Sequence, residues 1–209
     1  MPISGDPRCR QCRREGVKLY LKGTRCYSKK CAIEKRNFAP GMHGRDPQKK
    51  TTEYCTQLRE KQKMKRFYRV MERPFRNYLE EAERRRGVTG ENLLMLLETR
   101  LDNAIYRLNL ASSRAQARQI VNHKHILVNG KSVNIPSYLL RPGDTITIAD
   151  RSRKLGPMLE ALGTGARKHT PEWLDFNANT LTGKVISMPT RDMIDTEVEE
   201  QLIVEYYSR

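Results

Sequence analysis

The order of local patterns between residues 100 and 150 constrains the fold more than any other feature of this chain. Apolar residues recur with the i, i+3, i+4, i+7 spacing of an amphipathic helix from residue 101 to residue 108. Ser112 or Ser113 can cap a second helix, because a serine hydroxyl accepts hydrogen bonds from the unpaired N–H groups of a first turn. Asn129-Gly130 then follows the apolar run 126–128 and precedes Lys131-Ser-Val133, and an Asn-Gly pair at this place is the signal of a tight β-hairpin. We therefore expect an α+β fold in which short helices pack on a small, mainly antiparallel sheet.

The residues after the hairpin predict further strands. Arg141-Pro-Gly-Asp144 has the composition of a turn. The alternating residues 145–148 would place Ile146 and Ile148 on one face of a strand, and residues 184–188 favour one more.

Three helices are predicted before this module. Residues 53–71 are compatible with a helix, Pro74 fits the first turn of a second helix that stops near Gly87, and Thr89 can cap a third. The run at 84–86, three arginines, is equally compatible with nucleic-acid binding and with the preference of a helix C-terminus for cations. We predict a basic, metal-binding segment 1–45 that holds four cysteines, a helical domain 46–98 joined by residues 197–209, and an α+β domain 99–196 that contains a helix–hairpin module at 99–149 and binds nucleic acid.

Charge is unevenly distributed along the chain. The formal net charge is +16, yet residues 1–50 contain 14 basic and 4 acidic residues, whereas residues 151–209 contain 8 and 9. This gradient indicates a polyanionic partner for the N-terminal half. Only 37 % of the residues are hydrophobic, which is unusual for a free monomeric enzyme.

Several classes of protein are not expected. No apolar run approaches the roughly 18 residues that cross a membrane, and the N-terminus lacks the apolar core of a secretory leader, so we expect a soluble, cytoplasmic chain. A nucleotide-binding loop is not expected, since Gly163-Thr-Gly165 lacks the required strand and helix context. Asp102 and Asp144 are interpreted as helix-surface and turn residues. The predicted protein is not an enzyme and takes no small-molecule substrate.

Four cysteines have the spacing of a metal site. Cys9-x2-Cys12 and Cys26-x4-Cys31 can bring four thiolates around one structural zinc ion, with an iron–sulfur cluster as the lesser alternative. Neighbouring arginines and lysines are expected to lower the pKa of these thiols and favour ligation. Cys55 stands apart and is interpreted as idle. His123-x-His125 lacks further ligands and is not expected to hold a metal.

Basic residues interleaved with apolar anchors are the candidate RNA contacts. Arg114 and Arg118 lie one helical turn apart, a repulsive spacing that an anion between them would explain. Arg114, Arg118, His123, Lys124 and Lys131 are predicted to group around the join between helix and strand. The full predicted RNA-binding set is Arg10, Arg13, Arg14, Lys18, Lys22, Arg25, Lys35, Arg36, Arg59, Lys61, Lys65, Arg69, Arg100, Arg107, Ser113, Arg114, Gln116, Arg118, His123, Lys124 and Lys131.

Five separated segments carry a resemblance to a known family. They are CRQCRREGVKLY at 9–20, LREKQK at 58–63, RLDN at 100–103 with YRL at 106–108, SRAQAR at 113–118, and YSR at 207–209. Over essentially its whole length the chain resembles the bacterial small-subunit ribosomal protein conventionally numbered four, in its four-cysteine form. The part from 99 to 149 also resembles a small RNA-binding domain found in pseudouridine synthases and some tRNA synthetases.

The resemblance implies a structural protein of the small subunit that binds its rRNA early in assembly, nucleates folding of the subunit body and contributes to decoding accuracy. It implies contact with the fifth small-subunit protein and a place near the channel through which messenger RNA enters. Arg45, Lys49 and Lys50 would lie towards that channel. An accessory to an RNA-modification enzyme and a zinc-dependent nucleic-acid-binding regulator are the alternatives.

Overall fold

We describe the protein from a computed structural model that covers residues 7–46, 50–153, 170–177 and 180–209. Residue contacts divide the chain into two compact units. Unit 1 comprises Met1–Leu93 with Thr196–Arg209, and unit 2 comprises Leu94–Asp195. None of the helices within the described ranges combines the length and apolar composition that a bilayer crossing needs.

Unit 1 is helical. Thr52 caps its longest helix by accepting a hydrogen bond from the Cys55 N–H at 3.3 Å. That helix ends at Phe67 rather than at the predicted residue 71, because Arg69 takes the left-handed conformation with φ of 55°. The helices are α1 (Arg8–Glu15), a 3-10 turn (Gly23–Tyr27), α2 (Ala32–Lys35), α3 (Glu53–Phe67) and α4 (Glu72–Arg84); α5 (Thr89–Glu98) runs into unit 2.

Two apolar contacts hold unit 1 together. One face of α4 is apolar and is buried at Phe75, Leu79 and Ala82. The C-terminal helix α8 (Glu200–Tyr207) packs along α3, with Ile203 fully buried. The last residues of the chain therefore belong to the same unit as the first.

Unit 2 contains two short helices and a five-stranded sheet. The helices are α6 (Leu101–Arg107) and α7 (Arg114–Asn122), and the strands are β1 (Ile126–Val128), β2 (Lys131–Ser132), β3 (Thr145–Ile148), β4 (Leu174–Asn177) and β5 (Thr182–Val185). The strand order is β2-β1-β3-β5-β4 and every neighbouring pair is antiparallel. The predicted α+β class is confirmed.

Local chemistry explains most of the elements of unit 2. Ser113 caps α7 by accepting from the Gln116 N–H at 3.3 Å, and Asn129 and Gly130 both have positive φ, as a type I′ turn requires. The last strand begins two residues earlier than predicted and ends at Val185. Its Gly183 lies against α6, where an added Cβ would approach Leu108 to 2.5 Å. The glycine pair at 163 and 165 lies outside the described residues.

Candidate nucleic-acid interface

A surface of unit 1, which we call the basic groove, is lined by cations. Three cavities of about 570, 400 and 200 Å³ adjoin one another, because Arg10 and Pro40 line the first two and Gln11 and Arg66 line the last two. Glu72 is the carboxylate found among their described lining residues. The basic lining residues are Arg8, Arg10, Arg13, Arg14, Arg25, Lys30, Lys35, Arg36, Lys65, Arg66 and Arg69.

A stacked arginine anchors one wall of the first cavity. Arg13 donates to the backbone carbonyls of Phe38 at 3.0 Å and Ala39 at 3.2 Å. Its guanidinium also lies 4.7 Å from the centre of the Phe38 ring, and that of Arg45 lies at 4.9 Å from the same ring. These contacts join the loop at 38–45 to α1 and hold two cations against one aromatic side chain.

Glu15 ties α1 to α3 beneath the groove. Its side chain is fully buried and pairs with Arg66, and more loosely with Arg59 at 3.4 Å. Burial raises the pKa of Glu15 in spite of the opposing charges of Arg66 and Arg59. Part of the charge of these two arginines is therefore used inside the protein.

Lys61 is a structural cation and does not face an anionic ligand. It is 5 % exposed, donates to Glu72 at 2.8 Å and lies 4.7 Å from the Tyr206 ring centre. Lys65 donates to the same carboxylate at 2.8 Å. Burial would raise the pKa of Glu72, but hydrogen bonds from Lys61, Lys65 and Tyr207 outweigh it and lower that pKa to about 2. The sequence prediction that Lys61 contacts RNA is not supported.

The four cysteines lie near one another without forming a compact metal site. Three of them are buried, Cys12, Cys26 and Cys31, and the Lys22 N–H donates to Cys26 Sγ at 3.3 Å. Within the described residues no group of three or more His, Cys, Asp or Glu side chains is placed to hold a metal ion. Burial, and then the charges of the other thiols, raise the pKa of Cys12 to about 11. Burial also raises the pKa of Cys26, and it outweighs the charge of Lys22, which lowers that pKa. The expected net lowering of the thiol pKa is therefore wrong for Cys12 and Cys26.

Two of the four arginines predicted for unit 2, Arg107 and Arg114, belong to a buried polar network centred on Glu98. Glu98 is fully buried and accepts hydrogen bonds from Arg107 at 2.7 Å and from Asn103. Arg114 donates to Asn103 Oδ1 at 2.8 Å and stacks on Tyr106, 4.4 Å from the ring centre. Because these side chains are at most 9 % exposed, they organise the core of unit 2.

A second buried carboxylate, Asp102, serves two more of the predicted arginines. It accepts from Arg100 at 2.7 Å and lies 3.8 Å from Arg118. Asp102 is 4 % exposed, so the interpretation of it as a helix-surface residue is wrong. Arg118 and Arg114 each have a partner in the protein, and no anion is needed to explain their spacing.

The remaining predicted residues of unit 2 divide between the two ends of the hairpin. His123 and Lys124 are exposed at the join between α7 and β1. Lys131 pairs with Val128 at the far end of the hairpin, so it does not join the predicted group. Ser113 is buried as a cap, and Gln116 Oε1 accepts from the Ser112 N–H at 2.6 Å.

Other predicted residues of unit 1 lie at its surface. Lys22 is exposed, and Lys18 is partly exposed and pairs with Glu34. Of the three residues assigned to the messenger channel, Arg45 and Lys50 are exposed and Lys49 lies outside the described residues.

Sequence reasoning missed three groove residues. Arg8 precedes Cys9, Lys30 precedes Cys31, and Arg66 lies on α3. Lys30 belongs to the same cation-rich stretch as Arg25 and could have been included on that ground. Arg8 and Arg66 depend on how α1 packs against α3, which no local pattern specifies.

Comparison with known proteins identifies related sequences over the whole chain. Residues 5–98 match the family model described as Ribosomal protein S4/S9 N-terminal domain, and residues 99–146 match the S4 domain. The chain is 57 % identical to small ribosomal subunit protein uS4 of Desulforamulus reducens and 59 % identical to that of Dictyoglomus turgidum; each alignment covers 97 % of both chains. It is 58 % identical to uS4A of Alkaliphilus oremlandii, over 96 % of each chain.

Proposed function

The chain belongs to the ribosomal protein S4 family. We propose that its basic groove and the exposed basic residues of unit 2 bind the backbone of small-subunit rRNA. The chain is a structural component of the small ribosomal subunit in the cytoplasm, and it is not an enzyme. Family membership thereby decides against the alternative of an accessory to RNA modification.

The observation that supports rRNA binding most directly is the basic groove. Eleven lysines and arginines against one carboxylate line its adjoining cavities. Structured RNA is recognised largely through its phosphates and shape, which an array of cations on a fixed scaffold can follow. The predicted contacts that remain in this proposal are the exposed or partly exposed ones: Arg10, Arg13, Arg14, Lys18, Lys22, Arg25, Lys35, Arg36, Arg59, Lys65, Arg69, Gln116, Arg118, His123, Lys124 and Lys131.

Salt titration tests this proposal. A protein with roughly 6–10 phosphate contacts loses about 10³–10⁵-fold in affinity between 50 and 200 mM salt. We expect a loss of this size in filter binding to a small-subunit rRNA fragment, and weaker binding to duplex DNA of equal length. A shallow salt dependence would contradict the proposal, and equal affinity for both nucleic acids would favour the regulator alternative.

We further propose the roles that the family resemblance implies: early binding that nucleates assembly of the subunit body, contact with the fifth small-subunit protein, and a place for Arg45, Lys49 and Lys50 near the messenger channel. The exposure of Arg45 and Lys50 supports the last role. Crosslinking from these positions to messenger RNA in assembled subunits tests it, and crosslinks to rRNA alone would contradict it.

We also propose that Cys9, Cys12, Cys26 and Cys31 bind one zinc ion, with an iron–sulfur cluster as the alternative occupant. The burial of three of the four and the N–H donor to Cys26 support this, since coordinating thiolates commonly accept such bonds. Because the described residues do not form a compact ligand group, binding requires the thiols to approach one another. Metal analysis of the purified protein and of Cys9→Ser tests this; an absence of stoichiometric zinc or iron in the wild type would refute it.

A further inference from the structure

A turn beyond the S4 domain match is attached firmly to that domain. The match ends at residue 146, and a 3-10 turn follows at Asp150–Ser152. Ser152 is fully buried and its hydroxyl lies 2.8 Å from His125 Nδ1. The Ala149 N–H donates to the His125 carbonyl at 3.0 Å. The turn is thus held to His125, the residue just before β1.

This attachment places Arg151 beside Lys124. The Arg151 guanidinium donates to the Lys124 carbonyl at 3.1 Å. Lys124 itself has a positive φ of 59°, which turns the chain between α7 and β1. Both side chains are exposed, and neither has a carboxylate partner among the residues that the structure describes. The guanidinium of Arg151 is therefore held against the backbone of Lys124, and both residues present an exposed cation.

Strand pairing shows which end of the sheet these cations occupy. Ile126 pairs with Ile148 at the end next to Lys124 and Arg151, and Val128 pairs with Ile146 towards the hairpin turn. Within that turn, Asn129 donates to Asp144 at 2.8 Å. Arg141, an exposed arginine of the same unit, begins the turn that contains Asp144. The two ends of the strand pair thus each carry an exposed arginine.

The electrostatics of the two ends differ. Exposed cations beside Lys124 include Arg151, and also Arg153, which pairs with Asp150 at 3.0 Å. Asp150 is the carboxylate at this end, and its pairing with Arg153 offsets its charge. At the other end Lys131 and Arg141 are exposed, and the Asp144 carboxylate accepts from the Arg141 backbone N–H at 2.8 Å without an ion pair among the described residues. Because that carboxylate is not paired with a cation, an anionic ligand is favoured at the end that holds Lys124 and Arg151.

We propose that Lys124 and Arg151 together bind a backbone phosphate of RNA, so that the RNA surface of unit 2 continues past the boundary of the S4 domain. The inference rests on the proposed rRNA binding and adds to it a contact that the sequence predictions did not include. A lysine ammonium and an arginine guanidinium side by side can donate to different oxygens of one phosphate.

The test compares Arg151→Ala with the matched control Arg141→Ala in salt titrations against the same rRNA fragment. We expect Arg151→Ala to weaken binding roughly two- to fivefold, as for an exposed ion pair, and to lower the slope of log affinity against log salt by about one. Arg141→Ala should leave both quantities unchanged. Arg151→Lys, which keeps the charge, should retain the slope even if the hydrogen bond to the Lys124 carbonyl is lost.

Three results would overturn the inference. The first is an unchanged salt slope for Arg151→Ala. The second is a salt slope that Arg141→Ala reduces as much as Arg151→Ala does. The third is a reduced salt slope for Arg151→Lys together with a lower melting temperature. A steep wild-type slope together with any of these would leave rRNA binding itself intact. A shallow wild-type slope would instead reject the proposed function, so the two failures are distinguishable.

Discussion

Arginines of the two units were predicted alike and are used differently. In unit 1 many of them line open cavities, where Arg10, Arg25 and Arg36 are exposed. In unit 2, Arg100, Arg107 and Arg114 are buried against Glu98, Asp102 and Asn103. The comparison shows that residue type and net charge do not identify a phosphate contact, because an arginine can pair with a buried carboxylate of the protein instead of a phosphate.

The difference between buried and exposed arginines should have its largest effect on the free energy of unfolding. Glu98→Ala removes a fully buried carboxylate and leaves Arg107 with only the exposed Asp195, 3.4 Å away, as a described carboxylate partner. Breaking a buried ion pair costs about 3–5 kcal/mol, and we expect a loss of this size in chemical denaturation. The control is Glu80→Ala, which removes an exposed partner of Arg76 and should cost less than about 1 kcal/mol. Equal costs would abolish the distinction between the two kinds of arginine.

The converse experiment acts on binding and spares stability. Arg10→Ala combined with Arg25→Ala should lower the salt slope by about two and weaken rRNA binding roughly four- to 25-fold, while the free energy of unfolding changes by less than about 0.5 kcal/mol. Arg73→Ala combined with Arg76→Ala makes the same charge change at two exposed positions of α4 that do not line the groove. If this pair weakens binding as much, net charge and not the groove determines affinity.

A smaller effect on stability tests whether Ser113 contacts RNA, as the sequence predicts, or serves only as the cap of α7. As the cap of α7 it should contribute about 1 kcal/mol, which Ser113→Ala removes. Ser113→Asp keeps a capping oxygen and should preserve stability, although it adds a negative charge. Denaturation and binding measured on both variants check this: lost affinity in Ser113→Ala at full stability would restore the RNA contact.

The smallest expected effect is a pH dependence in unit 1. Glu72 has a pKa of about 2 in the fold, below its ordinary value of 4.5. A carboxyl group whose pKa is lowered by folding stabilises the protein above its unfolded pKa, and this contribution is lost as the pH falls from about 4.5 towards 2. The melting temperature of the wild type should therefore fall more steeply over this interval than that of Glu72→Gln. Parallel curves would show that Lys61 and Lys65 do not depend on this carboxylate, and Glu80→Gln controls for loss of one charge.

Sequence reasoning succeeded where neighbouring residues determine the structure. Ser113 caps its helix and Asn129-Gly130 forms its turn, because the chemistry that fixes each lies within three or four residues. The cation-rich N-terminal half was likewise recognised from charge alone, and it contains the groove.

The errors arose where contacts between residues far apart in the sequence determine burial. By its sequence context Lys61 is one of many surface lysines, but α8 places Tyr206 over it. Asp102 has the spacing of an exposed position, but Arg100 and Arg118 converge on it within a buried site. Lys131 was separated from its predicted group by the direction of the hairpin. No pattern within one helix or strand predicts these tertiary contacts.

The packing of α8 on α3 has a consequence for synthesis of the chain. Proteins grow from the N-terminus, so every residue of unit 2 has been made once residue 195 has been added, whereas unit 1 still lacks Thr196–Arg209. The unit whose translation begins first is therefore the last to acquire all of its contacts. A nascent chain that stops before Tyr206 leaves Lys61 without the two aromatic rings that cover it in the folded protein.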